Sequence, residues 1–470
     1  MRRSARVAAA VDRETSALSP LPIQLVHRIF LLLSVDERAR ASCVCRGWRT
    51  VLADPAAALW TQLDLLALFE RKLELYKREP ERAGALLRGA ARRSHGQRQR
   101  LVVSWPLDAA TPVLLEVLAA NAGSLRELKL PCIFALNCVR QLDTEVEDLL
   151  AAAPLLDIIE TDATVDWQDA HRLLRGEAQL SRLQLRKLLV YFTMYTDEGE
   201  LAEPLGGLER VRPVTDALAD ATLQPTLSDL LIGSADLQQP GVMDSLADAI
   251  LARRLRSLEF HVCTSPAAAP LARLLAGGVL TSLNLSGTPG FGAPPLFDPA
   301  GATLVADALR TNTTLTSLVV SDAGLFSDTE AAQTLLGALV GHRSLSTLEL
   351  TYDENMGEPV ALGAALAAIV GADAPALQSL DVRGCVLGDN GLRPLVYALP
   401  QNHHLRTLKL HGNYMSGTFA RDHVLPAIRA NTSLRKLECL DWRDDVATGE
   451  RVRRTWPAIL EEAQELLKLR

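Results

Sequence analysis

Residues 377–399 read Leu377-Gln-Ser-Leu380-Asp-Val382-Arg-Gly-Cys385-Val-Leu-Gly-Asp389-Asn390-Gly391-Leu-Arg-Pro-Leu395-Val-Tyr-Ala-Leu399. From Ser379 to Arg383 polar and apolar residues alternate, which is the period of a half-buried strand and predicts one over 378–383. Cys385 follows where a tight turn needs a small buried group. Asp389-Asn390-Gly391 then punctuate the chain, and Leu395 and Leu399 stand four apart on one helical face. One strand and one helix thus occupy fewer than thirty residues.

The opening pattern, Leu-x-x-Leu-x-Leu with an aliphatic residue or Phe in the last place, recurs along the chain. Copies begin at Leu125, Leu185, Leu227, Leu255, Leu280, Leu315, Leu345, Leu377 and Leu405. Degraded copies begin at Leu156, ending in Thr161, and at Leu434, ending in Cys439, and Leu101-x-Val103 suggests another. Most starts lie 25 to 32 residues apart. Self-similarity at that period is the mark of a solenoid, in which each unit buries its apolar stripe against its neighbours. Helix signals recur between the strands: Ser327-x-x-Glu330 has the spacing of a capping box before a helix over 331–340, with Gly341 as its stop.

These repeats resemble the ribonuclease-inhibitor-like leucine-rich-repeat family over residues 101–440. The resemblance implies a curved α/β solenoid with parallel strands on the concave face and helices on the convex face. With the leucines pointing inward, the intervening positions face the concavity. The central row would be Lys129, Glu160, Leu189, Leu231, Glu259, Asn284, Val319, Glu349, Asp381, Lys409 and Glu438. The next would hold Tyr191, His261, Ser286, Ser321, Thr351, Arg383 and His411. Its C-terminal half is polar with an acidic bias, and Leu189, Tyr191 and Leu231 form an apolar spot. Leu189, Tyr191, Leu231, Glu259, Glu349, Asp381, Arg383, Lys409 and His411 are the candidates for contacting a target protein. Solvated strand positions are the plain alternative.

Two units are overlong. Residues 193–213 form one insertion and 287–299 the other, and insertions in solenoids collect in loops on one edge. Phe291 and Phe297 are the aromatics expected to be exposed there.

Ahead of the repeats lies a helical head. Leu21 and Pro22 open a helix, where proline's missing N–H costs nothing. Leu25, Ile29, Phe30 and Leu33 follow at spacings of three and four. Asp36-Glu37 suits the start of a second helix, on which Val44, Trp48 and Val51 continue the stripe, and Asp54-Pro55 ends it. So short a module is near the lower limit for burying its own core. Its large side chains therefore serve either a partner or an internal cap.

Leu21-Pro22, Ile29-Phe30, Asp36, Val44-Cys45-Arg46, Trp48-Arg49 and Leu59-Trp60 together resemble the F-box family over residues 18–65. That resemblance implies docking onto the Skp adaptor of a cullin–RING ubiquitin ligase through Leu21, Pro22, Leu25, Ile29, Phe30, Leu33, Val44 and Trp48. The run Glu37-Arg38-Ala39-Arg40-Ala41 departs from the larger aliphatics of many members.

Charge divides the chain. Residues 1–100 hold 19 Lys and Arg against 10 Asp and Glu, and the remainder holds 30 against 46. The basic clusters at 71–82 and 88–100 read as a solvated helical linker, and the acidic arm argues against a nucleic-acid groove. Seven cysteines without paired spacing fit a reducing compartment, cytoplasm or nucleus. No apolar run approaches membrane-spanning length. Asn312 and Asn431 match glycosylation acceptors but fall in repeat turns. Gly287, Gly290 and Gly292 lack the order of a dinucleotide loop. His403, His404 and His411 want further ligands for a metal, and no nucleophile–base pair is evident. The expected organisation is an F-box at 18–65, a basic helical linker at 66–100, the solenoid at 101–440 and a capping segment at 441–470. The expected function is a non-catalytic substrate receptor without cofactor, or alternatively an interaction or inhibitor scaffold whose head only caps the repeats.

Overall fold

The structure is a computed structural model. It describes residues 30, 41, 62–64, 100–102, 111–130, 133–135, 142–192, 207–286, 296–321, 323–351, 358–439, 462, 463 and 465–467. The chain divides into two compact units. The first comprises 1–165 with 175–187 and 224–226, and the second comprises 166–174, 188–223 and 227–470.

In the first unit the strands are β1 (Gln62–Asp64), β2 (Arg100–Val102), β3 (Glu127–Lys129), β4 (Ile133–Ala135) and β5 (Ile158–Asp166). β1, β2, β3 and β5 pair in that order, all parallel, and β4 pairs with β5. Helices α1 (Thr111–Ala119) and α2 (Leu142–Ala152) connect them. β6 (Leu183–Tyr191) begins in this unit. There Gln224 stands in for a strand partner, accepting from Leu185 N at 2.9 Å and donating to Leu183 O at 2.9 Å.

The second unit holds α3 (Trp167–Arg175, all but its last residue) and α4 (Leu208–Ala219). After them come β7 (Asp229–Gly233), α5 (Val242–Arg253), β8 (Ser257–His261), α6 (Ala268–Ala276), β9 (Ser282–Ser286) and α7 (Pro299–Thr311). It continues through β10 (Ser317–Ser321), α8 (Thr329–Ala338), β11 (Thr347–Thr351), α9 (Pro359–Gly371), β12 (Ser379–Asp381), α10 (Gly388–Ala398), β13 (Thr407–Lys409) and β14 (Lys436–Glu438). β7 to β14 pair strictly in sequence order, every pair parallel. This is the α/β leucine-rich-repeat arrangement expected from the pattern. The repeat leucines are the core: Leu255, Leu280, Leu315, Leu377 and Leu405 are all buried, as are the helix residues Val305, Leu366, Leu395 and Leu399 that meet them.

Hydrogen-bonding side chains at the helix-to-strand turns lock each repeat to the one before. Asn312 donates to Leu275 O at 2.6 Å and accepts from Thr314 N and Leu315 N at 2.9 and 2.8 Å. Asn402 does the same with Val370 O, His404 N and Leu405 N, and Asn431 with Leu399 O, Ser433 N and Leu434 N. A buried amide serves because it offers donor and acceptor together. The glycosylation-like Asn312 and Asn431 are therefore internal pins. His342 holds the same place before Leu345 and accepts from its N–H at 3.2 Å through Nδ1, but its buried Nε2 makes no well-formed hydrogen bond to the Leu309 backbone that it faces.

Several local expectations shift. Asp328, not Ser327, caps α8, accepting from Ala331 N at 2.9 Å. The strand foreseen over 378–383 spans only Ser379–Asp381. The insertion foreseen to end at Pro213 is shorter, because Leu208 already begins α4 and Pro213 lies inside that helix. In the second insertion Phe297 is 6% exposed: it folds into the apolar core beside Leu296 rather than facing solvent, and Asp298 caps α7 directly after it. Phe291 lies outside the described residues.

Helices α9 and α10 make the closest approach. A Cβ on Gly363 would fall inside the Gly391 carbonyl, and one on Gly391 would sit 2.8 Å from Pro359 O. Gly391→Ala is expected to lower stability by about 3 kcal/mol through overpacking, whereas His342→Asn is expected to raise it by about 1 kcal/mol by satisfying the orphaned donor. Thermal and urea melts of the full chain would check both directions.

Candidate functional site

Parallel register turns the repeat pattern into rows. Leu231, Glu259, Asn284, Val319, Glu349, Asp381, Lys409 and Glu438 are successive Cα partners across β7 to β14. Gly233, His261, Ser286, Ser321 and Thr351 form the next row. The bond from Gly384 N to His411 O at 2.9 Å continues that row through Arg383 and His411. Alternate residues such as Leu258, Leu283 and Leu348 point into the core, so these rows lie on the opposite, open face of the sheet.

Tyr191 anchors the start of that face. Phe192 N donates to Gly233 O at 3.0 Å, which sets Tyr191 beside Gly233. A Cβ at Gly233 would run into the Tyr191 ring; the missing side chain is what lets the ring lie across the neighbouring strand. The ring then meets His261 edge-on, with centroids 6.3 Å apart and planes at 85°, a favoured aromatic geometry. Leu189 is half-buried beside it. Leu231, expected in the exposed spot, is 5% exposed and belongs to the floor of the patch.

At the other end the expected acidic character is largely internal. Asp381 is fully buried, and Arg383 Nε reaches both its oxygens at 2.8 Å while Lys409 Nζ lies 3.0 Å away. Burial by itself raises the Asp381 pKa; hydrogen bonds from Arg383 and Lys409 outweigh it and hold the carboxyl below its usual value. Asp381 is thus a clamp for two cations rather than a contact for a target. Burial, together with the nearby Arg383 charge, lowers the His411 pKa. The Glu438 carboxyl is lowered mainly by the hydrogen bond from Lys436. Glu259, Glu349 and Glu438 keep partial exposure.

In the first unit the corresponding positions are paired. Lys129 bonds Glu160, and Arg100 approaches Glu127 at 3.4 Å and Glu160 at 3.7 Å. Such half-exposed pairs contribute little to stability, about 1 kcal/mol or less each.

His403 and His404 sit apart from His411. Both Nδ1 atoms bond Asp373, at 2.9 and 3.0 Å. Burial would raise the Asp373 carboxyl, but the His403 and His404 hydrogen bonds bring it down to about 2. Among the described residues no group of three His, Cys, Asp or Glu could hold a metal ion. Burial pushes the Cys263 thiol up to about 11 and the Cys439 thiol up to about 12, so neither is a ready nucleophile. Among the described residues no helix is long and apolar enough to cross a membrane.

Of the eight adaptor candidates, Leu21, Pro22, Leu25, Ile29, Leu33, Val44 and Trp48 lie outside the described residues. Phe30 is helical and 2% exposed. Sequence reading missed the role of Gly233, whose only signal is a glycine inside a strand pattern, the pin Asn402, and the buried Asn413, which donates to Val382 O at 2.7 Å and accepts from Leu387 N at 3.2 Å.

The F-box-like family model matches residues 18–66, and the Leucine Rich repeat model matches residues 375–396. The chain thus combines an N-terminal F-box-like module with leucine-rich repeats, as in an F-box/leucine-rich-repeat protein. No curated protein matches in sequence. Among solved structures, a protein from Bacteroides fragilis is similar at 15% identity, covering 64% of this chain and 86% of its own, with a TM-score of 0.33.

Asp381→Asn is expected to cost about 2 kcal/mol at pH 7, since it removes the buried negative charge that Arg383 and Lys409 share. The depressed carboxyl contributes above its unfolded value near pH 4, and that contribution disappears as pH falls through the folded value. Melting curves at pH 7 and pH 3 should therefore show the gap between wild type and variant closing in acid.

Proposed function

We propose that this chain is the substrate-recognition subunit of a Skp–cullin–F-box ubiquitin ligase, with the N-terminal module docking the Skp adaptor and the repeats holding a target protein. The observation that carries the reading is the order of the two modules, F-box-like over 18–66 and repeats beyond. F-box modules generally bind Skp-type adaptors, and leucine-rich repeats generally bind proteins. The chain itself would catalyse nothing. Its contribution is proximity: holding target and ligase together raises the effective concentration of a target lysine at the transfer site. Cytoplasm or nucleus is the corresponding compartment.

On the repeat side, the reading rests on the patch of Tyr191, Leu189 and His261 over Gly233, because an aromatic beside apolar neighbours is the composition of an interface anchor. Glu259 would flank it on the next strand but one, and Glu349, Arg383, Lys409 and His411 would carry a separate polar contact toward the other end of the sheet. On the adaptor side, Leu21, Pro22, Leu25, Ile29, Leu33, Val44 and Trp48 would carry the contact.

The runner-up is a leucine-rich interaction or inhibitor scaffold without a ligase role. Burial of Phe30 favours it, since a head that only caps the repeats would cover its own aromatics.

Co-purification of the full chain with Skp adaptor and cullin separates the two. Wild type should be recovered with both, and the Ile29→Ala, Trp48→Ala double variant with neither, while the repeats melt unchanged. A folded wild type that captures no adaptor leaves the scaffold reading. In cells, Tyr191→Ala should keep the adaptor yet lose co-purified ubiquitinated proteins; undiminished recovery would remove Tyr191 from the target site.

A further inference from the structure

The helix side of the second unit carries a side-chain cluster that the open face does not use. Arg393 and Tyr397 stand one turn apart on α10. Facing them are Phe419, which ends the short helix Gly417–Phe419, and His423, in the π-helical turn Ala420–Val424. Pro426 follows in the first turn of the helix Leu425–Ala430 and has no N–H to give back. The wider turn fits that missing bond, and π turns of this kind recur at functional sites.

The hydrogen bonds have a fixed direction. Arg393 Nη1 lies 3.2 Å from His423 Nε2, and a guanidinium can only donate, so Nε2 accepts. The imidazole is then neutral with its proton on Nδ1, which donates to the Tyr397 hydroxyl at 3.1 Å. Arg393 Nη1 also approaches that hydroxyl at 3.4 Å. Tyr397 therefore accepts from two neighbours, and its own hydrogen is left to give outward. Its side chain is on the surface, with the residue 51% exposed.

Charge around the cluster is one-sided. Among the described residues no carboxylate lies within ion-pair distance of Arg393. Asp389, one turn earlier on α10, is bound to Ser416 N and Oγ at 2.8 and 2.6 Å. Exposed Arg421 and Asp422 on the π turn cancel in net charge. Phe419 lies under the guanidinium, 5.4 Å from ring centroid to Cζ, and tilts against His423 at 5.0 Å. The ring keeps water from one side of the cation, which strengthens any ion bound on the other.

We propose that Arg393, Tyr397 and His423 form a docking site on the helix side for an acidic, glutamate- or aspartate-rich segment of a partner protein. One carboxylate oxygen takes the Tyr397 hydrogen, and the other takes an Arg393 N–H not already given to His423. His423 holds the two in register. Residues 101–470 hold 30 Lys and Arg against 46 Asp and Glu, so the surface around the cluster disfavours an acidic segment except where a cation such as Arg393 is left to receive it. Aromatic and arginine side chains of this composition are enriched at protein interfaces. The site stands independently of the ligase reading.

The test labels the full chain with 3-fluorotyrosine. Six tyrosines give six fluorine lines, and the line absent from Tyr397→Phe belongs to Tyr397. Titration with hexaglutamate should move that line saturably, with the effect reversed by salt. Arg393→Gln should weaken the response about tenfold or more, equivalent to losing one charge-assisted contact, while Arg393→Lys retains part of it and controls for folding. An unmoved Tyr397 line, or an equal shift in Arg393→Gln, overturns the proposal. So does a shift produced by a phosphoserine peptide but not by hexaglutamate. A line that moves only at Tyr76 reports binding by the basic N-terminal segment, and movement confined to any tyrosine other than Tyr397 counts against the site.

Discussion

Every repeat in this chain depends on one constraint: a single strand and helix cannot bury an apolar stripe alone. In the second unit the solution is sequential parallel pairing from β7 to β14, with each leucine row stacked on the last. Stacking creates its own difficulty, because each helix-to-strand turn brings backbone groups into the interior. Asn312, Asn402 and Asn431 answer it by bridging one repeat's carbonyl to the next repeat's amides. Where the series turns to His342, the same place is filled but one donor goes unanswered. The core and its polar pins thus obey a common periodicity.

That periodicity also fixes the open face. Once alternate residues are committed to the interior, the remaining ones have no choice of side, and the register lines them up by strand. What the rows present is less ionic than their letters suggest. Asp381, Arg383 and Lys409 satisfy one another, leaving hydroxyls, an amide and scattered glutamates beside the Tyr191 patch. A partner held on such a surface would be held by shape and apolar contact at one end, as the proposed receptor role requires. Charge would act elsewhere, at the cationic cluster on the helix side.

The fold was legible in the sequence because the leucine pattern is repeated and a slip of one residue would expose a whole row. The rows of the open face followed from the same rule, from Leu231 through Glu438. Exposure did not follow. Leu231, Asp381 and Phe297 are each open-face or loop positions by pattern, yet each is buried: Leu231 in the floor beside Tyr191, Asp381 under the Arg383–Lys409 clamp, and Phe297 in the apolar core. Pattern gives direction along a strand, whereas coverage depends on what the adjacent repeat contributes. Gly233 illustrates the limit most clearly, since its importance lies in the ring of another strand that occupies its missing side chain's place.

The close contact of α9 and α10 through Gly363 and Gly391 has a mechanical side. At other described helix contacts a side chain intervenes, as where Leu251 lies against Gly277 after α6. Here backbone meets backbone, leaving no compliant layer between two successive repeats. Bending or twisting strain applied along the second unit must therefore concentrate in the softer joints on either side, and the segment from β11 to α10 moves as a single stiff link. The cluster of Arg393 and Tyr397 on α10 is mounted on that link.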